Sequence, residues 1–259
     1  MIEEPYRWVE AIANRREYIE TQLATGSPIA AAGYHDGILF VTIGKNRQKL
    51  FEIYDRIAMG VIGHPGDIER LRMGAIEMAS TEGFTRSAAD VSLRRLAHYS
   101  LSPVMKTAFE QVYGAPYLAR LLFAEIGATP EDDLFLRVDY DGSIATNGAT
   151  VAQARQGFAV LSGTRTGTEL MESFLRDEHA PAAALEQALA TALDAWSIGH
   201  LAAQQPDMNS APERAAITQH RQEQLAEAAI EAAILERNAI NAIRYRALSD
   251  KEVRELVRG

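Results

Sequence analysis

Apolar residues recur at helical spacing from Trp8 through Ile12 and Ile19 to Leu23, behind a Pro5 that suits a first helical turn, and Gly26 ends the run. The spacing predicts an N-terminal helix over 5–23. IAAAGY and ILFVTI then flank His35-Asp36-Gly37, a polar hinge in which Gly37 is expected to supply a positive φ, and read as a β-hairpin. LFEIY and RIAMGVIG add two strands. From Asp67 to Gly83, Ile68, Leu71, Ala75, Met78 and Ala79 return to helical spacing, and a second helix is expected from about Ser87, bent at Pro103.

The middle of the chain reads as strand again: YLARLLFAEIG, then LFLRVDY and SIAT joined by a turn at Asp141-Gly142, then GFAVLSG. Helical patterns cover Thr164 to Arg176 and Ala182 to about Ala203, the latter with Leu185, Leu189, Leu193 and Trp196 on one side. Gln204 to Pro212 reads as a loop and Glu213 to about Glu227 as a polar helix, expected to project. The strands IEAAILE and AIRYRAL follow, then a last amphipathic helix that Ser249 can cap. Runs of strands alternating with helix pairs imply an α+β fold, a four-layer αββα sandwich of two antiparallel sheets flanked by helix pairs, with an N-terminal helix. We expect a single domain over 1–259.

The formal net charge of −9 repels phosphate backbones and anionic lipid, so neither nucleic acid nor a membrane is an expected partner. There is no cysteine, which excludes disulfides, thiolate metal sites and cysteine nucleophiles. Thr21 to His35 is uncharged but broken by Gly26, Pro28 and Gly33, and Glu3 and Glu4 sit where a signal peptide needs positive charge, so a cytoplasmic location is expected.

Most candidate chemistry dissolves on inspection. His35, His64, His98, His179, His200 and His220 lack metal-ligand spacing, and no metal or cofactor is expected. Glu131-Asp132-Asp133 and the pair Asp139 and Asp141 border turns and read as solvated loop ends. Gly142 to Gly148 lacks the lysine of a phosphate loop. Arg237, Arg244, Arg246, Lys251, Arg254 and Arg258 against Asp250, Glu252 and Glu255 read as a solvated face.

One ordered set remains. Gly26-Ser27 opens the first strand, Gly37 the second, and Lys49 the apolar run after NRQ; GSPIAAAGYHDGILFV, QKLFEIYDRIA, PGDIERLRMGA, VDYDGSI, LSG and IEAAILERNAINAIRYRAL follow in order. This set resembles the proteasome family, within the N-terminal-nucleophile hydrolase fold. In its catalytic β-type subunits the resemblance implies a nucleophile released behind a glycine, which matches Ser27. The expected acidic partner falls at Ile43, or at Thr42 with a one-residue shift, and neither ionises. The lysine is present as Lys49 and the later serine as Ser162. The closing Arg-Asp-x-x-Ser-Gly element has no match at Ile198 to Ala202, and Asp194 with Ser197 has its spacing only by chance.

The N-terminal helix instead resembles that of α-type subunits, with the nucleophile machinery lost and no catalytic residue of its own. The resemblance implies a homo-heptameric α-ring stacked on proteasome β subunits, in a threonine-type endopeptidase complex. Met1, Ile2, Glu3, Glu4, Pro5 and Tyr6 would form the gate, and Lys49 would pair with the C-terminal carboxylate of a ring-shaped ATPase activator. Lacking a Tyr-Asp-Arg motif, the N-terminus resembles the bacterial type, whose substrates carry a small disordered protein tag. Two alternatives compete: a self-processing N-terminal-serine hydrolase using Ser27 with Lys49, and a scaffold whose contact surface is Glu213 to Glu227.

Overall fold

The computed structural model describes residues 5–44, 47–111, 113–146, 157–205, 207–239 and 243–258. Of the expected gate, Met1 to Glu4 lie outside the described residues, as does Gly148, while Pro5 and Tyr6 open the first helix.

Two five-stranded antiparallel sheets stack face to face. One has the order β10-β9-β2-β1-β8, built from β1 (Ile29–Tyr34), β2 (Gly37–Gly44), β8 (Phe158–Leu161), β9 (Ala229–Glu236) and β10 (Tyr245–Leu248). The other has the order β3-β4-β5-β6-β7, from β3 (Leu50–Tyr54), β4 (Ile57–Gly63), β5 (Ala119–Glu125), β6 (Leu134–Val138) and β7 (Ile144–Thr146). The helices are α1 (Pro5–Leu23), α2 (Pro65–Thr85), α3 (Leu93–Arg95), α4 (Ser102–Glu110), α5 (Arg165–Glu178), α6 (Leu185–Gln204), α7 (Arg214–Glu227) and α8 (Asp250–Arg258).

Three apolar layers explain why the central strands read as unbroken hydrophobic runs rather than alternating ones. Successive residues of β1 point to opposite sides: Ala30 and Ala32 pack under α5 and α6 with Met171, Leu189 and Trp196, while Ile29 and Ala31 face the other sheet. In the second sheet Met59 and Val61 meet Leu71 and Ala75 of α2, and Ala58 and Ile62 face inward. Both sheets are thus covered on both faces. The α+β sandwich is the fold expected from the pattern.

Helix α1 seals one end of the middle layer. Its Ile19 and Leu23 are buried among Ile29, Ile62, Phe109 and Tyr140, and the Arg15 guanidinium donates to the carbonyls of Phe109 at 2.7 Å and Gln111 at 2.6 Å. Tyr140 Oη donates to Glu20 at 2.8 Å. At the far end of the chain a reciprocal cap starts α8: Glu252 N–H donates to Ser249 Oγ and Ser249 N–H to the Glu252 carboxylate, each at 3.2 Å.

Several expectations need correction. Gly37 does not have a positive φ; among described glycines Gly63, Gly142 and Gly157 do. Gly37 is required because a Cβ there would sit 2.0 Å from the carbonyl oxygen of Leu235 on β9. The helix expected from Ser87 is a 3₁₀ turn at Ala88–Asp90, followed by α3, a π-helical stretch Leu96–Leu101, and α4. Pro103 has no N–H to give to the preceding turn, and the widened π stretch is placed just before it. Asp133 is no solvated loop end: with Arg237 it forms a buried ion pair through two 2.8 Å contacts, the side chains 2% and 8% exposed. Arg237 therefore leaves the solvated basic face as well. Asp139 and Asp141 are paired too, with Arg120 at 3.1 Å and Arg16 at 3.2 Å. Finally, α7 does not project. It folds back on α6, with Ile217 and His220 buried.

Candidate functional site

The turn from α1 into β1 holds Ser27 against the end of β2, the entry to β3 and the middle of α6. Gly26 has no room for a side chain here, since a Cβ would lie 2.1 Å from Ile62 Cγ2. Ser27 Oγ donates to the carbonyl of Ile43 at 2.5 Å, stands 3.3 Å from Thr42 Oγ1, and accepts the indole N–H of Trp196 at 3.1 Å. Thr42 Oγ1 itself donates to the Pro28 carbonyl at 2.6 Å. The hydroxyl is thereby held by two neutral partners, neither of them a base.

Lys49 stands at the entry to β3. Its ammonium donates to the Ser27 carbonyl oxygen at 3.1 Å, which is the backbone and not the hydroxyl of the candidate nucleophile. Glu231, on β9 opposite Thr42, receives the Lys49 N–H with both oxygens at 3.0 Å and the Leu50 N–H at 2.8 Å. One carboxylate thus ties the start of β3 in one sheet to β9 in the other. Burial pulls the Lys49 ammonium down to about 8, and the Glu231 charge opposes that shift. Burial pushes Glu231 up, against the two N–H donors and the Lys49 charge that favour its ionised form.

The structure brings together Ser27, Thr42, Ile43 and Lys49 but gives Ser162 another task. Ser162 is fully buried at the end of β8, where its N–H donates to Thr168 Oγ1 and its carbonyl accepts from Arg120, so it shapes the turn into α5. Asp194 and Ser197 are placed inside α6, Asp194 paired with Arg221 at 2.8 Å and Ser197 Oγ bonded to the Leu193 carbonyl. Among the described residues no group of three or more histidines and acids is placed to hold a metal ion.

Four residues of the site escaped the sequence reading. Trp196 stood out only as part of an apolar helix face. Glu231 carried a usable signal, being an acid inside an otherwise apolar strand. His200 and His220 are twenty positions apart across a loop, yet His200 Nδ1 and His220 Nε2 meet at 2.8 Å, stacked over Trp196 with ring centroids 4.7 and 6.2 Å from the indole.

A sandwich of this topology with a disarmed serine at the start of its first strand frames the comparison with known proteins. The sequence profile described as "Proteasome subunit" matches residues 26–204. The chain belongs to the proteasome subunit family. It is 34% identical to the protein named Proteasome subunit alpha of Streptomyces scabiei (strain 87.22) over 190 residues, which are 73% of this chain and 72% of that protein. It is 32% identical to the Proteasome subunit alpha of a Nocardioides species over 193 residues, 74% of this chain and 70% of the relative. With that of Xylanimonas cellulosilytica it shares 34% identity over 170 residues, 63% and 69% of the two chains. In this α-type proteasome subunit the N-terminal helix is packed over the end of the middle layer. Among the described residues no helix is long and apolar enough to cross a membrane.

Proposed function

We propose that this chain is a non-catalytic subunit of a homo-heptameric α-ring that caps the β subunits of a bacterial, cytoplasmic proteasome core, gates substrate entry and docks a ring-shaped ATPase activator. The observation that carries this reading is the state of Ser27. An N-terminal nucleophile needs a free amine, a base and an exposed hydroxyl. Ser27 instead has its hydroxyl spent on Ile43 and Trp196 and the nearby ammonium spent on its carbonyl. The same α1, packed across the end of the sandwich, offers a fixed base from which the residues before Pro5 can act as a gate.

Lys49 supports the docking role through its position at a strand end with a side chain that is only partly exposed. A carboxylate arriving at this ammonium would replace the Ser27 carbonyl with a charge-assisted partner and raise the depressed proton affinity. Contacts repeated around a ring add avidity to each modest one. Lys49→Ala should abolish ATPase-stimulated protein degradation by the assembled particle while leaving small-peptide cleavage unchanged; undiminished stimulation would remove the docking assignment. Intact and native mass separate this reading from the self-processing hydrolase. A full-length 28.4 kDa chain, alone or in sevenfold rings, is expected, and a fragment beginning at Ser27 would reverse the assignment.

A further inference from the structure

The family match stops at residue 204, where α6 ends. Beyond it the chain doubles back and lays α7 along α6, fastened at three points. Ile217 gives the buried apolar contact. Arg221 pairs with Asp194 of α6 at 2.8 Å, and Arg254 of α8 donates to the Leu225 carbonyl in the last turn of α7 at 2.9 Å. Between these, His220 and His200 close over Trp196, whose indole N–H ends on Ser27.

We propose that α7 is a latched cover over Trp196, held shut by the hydrogen bond between His200 and His220 and released by acid. Such a bond needs one imidazole nitrogen that accepts, and a pair protonated on both rings presents two donors to each other. The surrounding charges favour the neutral pair. Lys49 at the start of β3 opposes charge on His200, and Glu223 on α7 is the one neighbour favouring charge on His220. Asp194 and Arg221 neutralise one another, and Glu231 faces Lys49.

The sign follows from where each ring titrates. Docked, His200 is pulled down to about 4 by burial, then by His220 and Lys49, and His220 is also lowered by burial. Undocked and solvated, both return to about 6.5. Between those values the undocked state binds more protons, so falling pH drives release. For His200 alone the undocking constant should rise about tenfold per pH unit, roughly 300-fold across the window, and no further below it.

Amide hydrogen exchange on the full chain at pH 7.5, 6.5, 6 and 5, corrected for intrinsic exchange rates, tests this without ring assembly. Peptides covering 214–227 should lose protection by at least tenfold between pH 6.5 and 5, while those of β1, β2 and β9 keep theirs. The double variant His200→Gln with His220→Gln should abolish that pH dependence. Should the double variant fail to fold by near-ultraviolet dichroism, His200→Gln alone, which keeps an amide partner for His220, should lower the slope by the His200 share. Protection of α7 that ignores pH, a slope undiminished in the variants, or loss of α7 and the strands in step would each overturn the proposal.

Discussion

The indole nitrogen of Trp196 donates to the hydroxyl of Ser27 across 3.1 Å, joining residues that lie 169 positions apart. This bond gives Ser27 a structural task, because it occupies the oxygen with a donor where an active serine needs a base. Ser27→Ala should leave the buried indole N–H without its partner and cost about 1–3 kcal/mol. Urea unfolding of wild type and variant measures the loss, and intact mass should be that of the full chain in both. A variant as stable as wild type would mean the indole finds another acceptor.

The fold was legible where burial sets a period. The α1 bounds, the two-sheet sandwich and the apolar side of α6 all follow from which positions must avoid water, and a strand buried on both faces leaves an unmistakable apolar run. What stayed hidden depends on partners distant in sequence. Gly37 was read from its own turn, yet the constraint comes from the Leu235 carbonyl on a strand some two hundred residues later. Asp133 reads as solvated because it borders a turn, and Arg237 because it belongs to a mixed-charge C-terminal stretch; only their pairing makes burial tolerable. Of the site, Ser27 and Lys49 were legible through the family pattern, while the imidazole pair has no local signature at all.

The pair of Asp133 and Arg237 gives a sharp asymmetry. Asp133 accepts from Arg237 twice at 2.8 Å and also from the Gly127 N–H at 2.8 Å, so the carboxylate is satisfied only while all three donors remain. Arg237→Ala should strand it and destabilise the chain by about 3–5 kcal/mol, and Arg237→Met with Asp133→Leu should recover most of that. Thermal unfolding of the three proteins is the check. Equal destabilisation by the single and double variants would contradict the pairing argument.

Lys49 predicts a pH profile with a definite direction. Folding lowers its proton affinity from the usual lysine range to about 8, so between about 8 and 10.5 the unfolded chain holds a proton that the folded chain has lost. Stability should therefore rise with pH across that interval, and Lys49→Met should remove the rise. The buried tyrosines act oppositely. Tyr34 is pushed up to about 12 and Tyr140 and Tyr245 are also raised, each mainly by burial, so the unfolded chain ionises them first and stability falls above about 10. The gain from Lys49 should thus be read between pH 8 and 10 by urea midpoint, where a flat or falling wild-type profile would sink the assignment.

Arg15 should control how firmly α1 is held. Its guanidinium spans the last carbonyls of α4, with 2.7 and 2.6 Å bonds to Phe109 and Gln111, and so places a cation at the negative end of that helix. Charge-assisted bonds of this kind are worth about 1.5–3 kcal/mol each when buried and less at the surface. Arg15→Ala should loosen α1 by roughly 1–2 kcal/mol without disturbing the sheets, because Ile19 and Leu23 still anchor the helix C-terminal half in the middle layer. Arg15→Lys should fall between, since a lysine lacks the second nitrogen with which Arg15 also reaches the Gly114 carbonyl. Hydrogen exchange should report faster opening confined to the α1 turns before Ile19. If the residues ahead of Pro5 gate a pore, an assembled ring of Arg15→Ala subunits should also admit a small fluorogenic peptide faster than wild type in the absence of any activator. Loosened α1 with unchanged peptide entry would separate the helix from the gate.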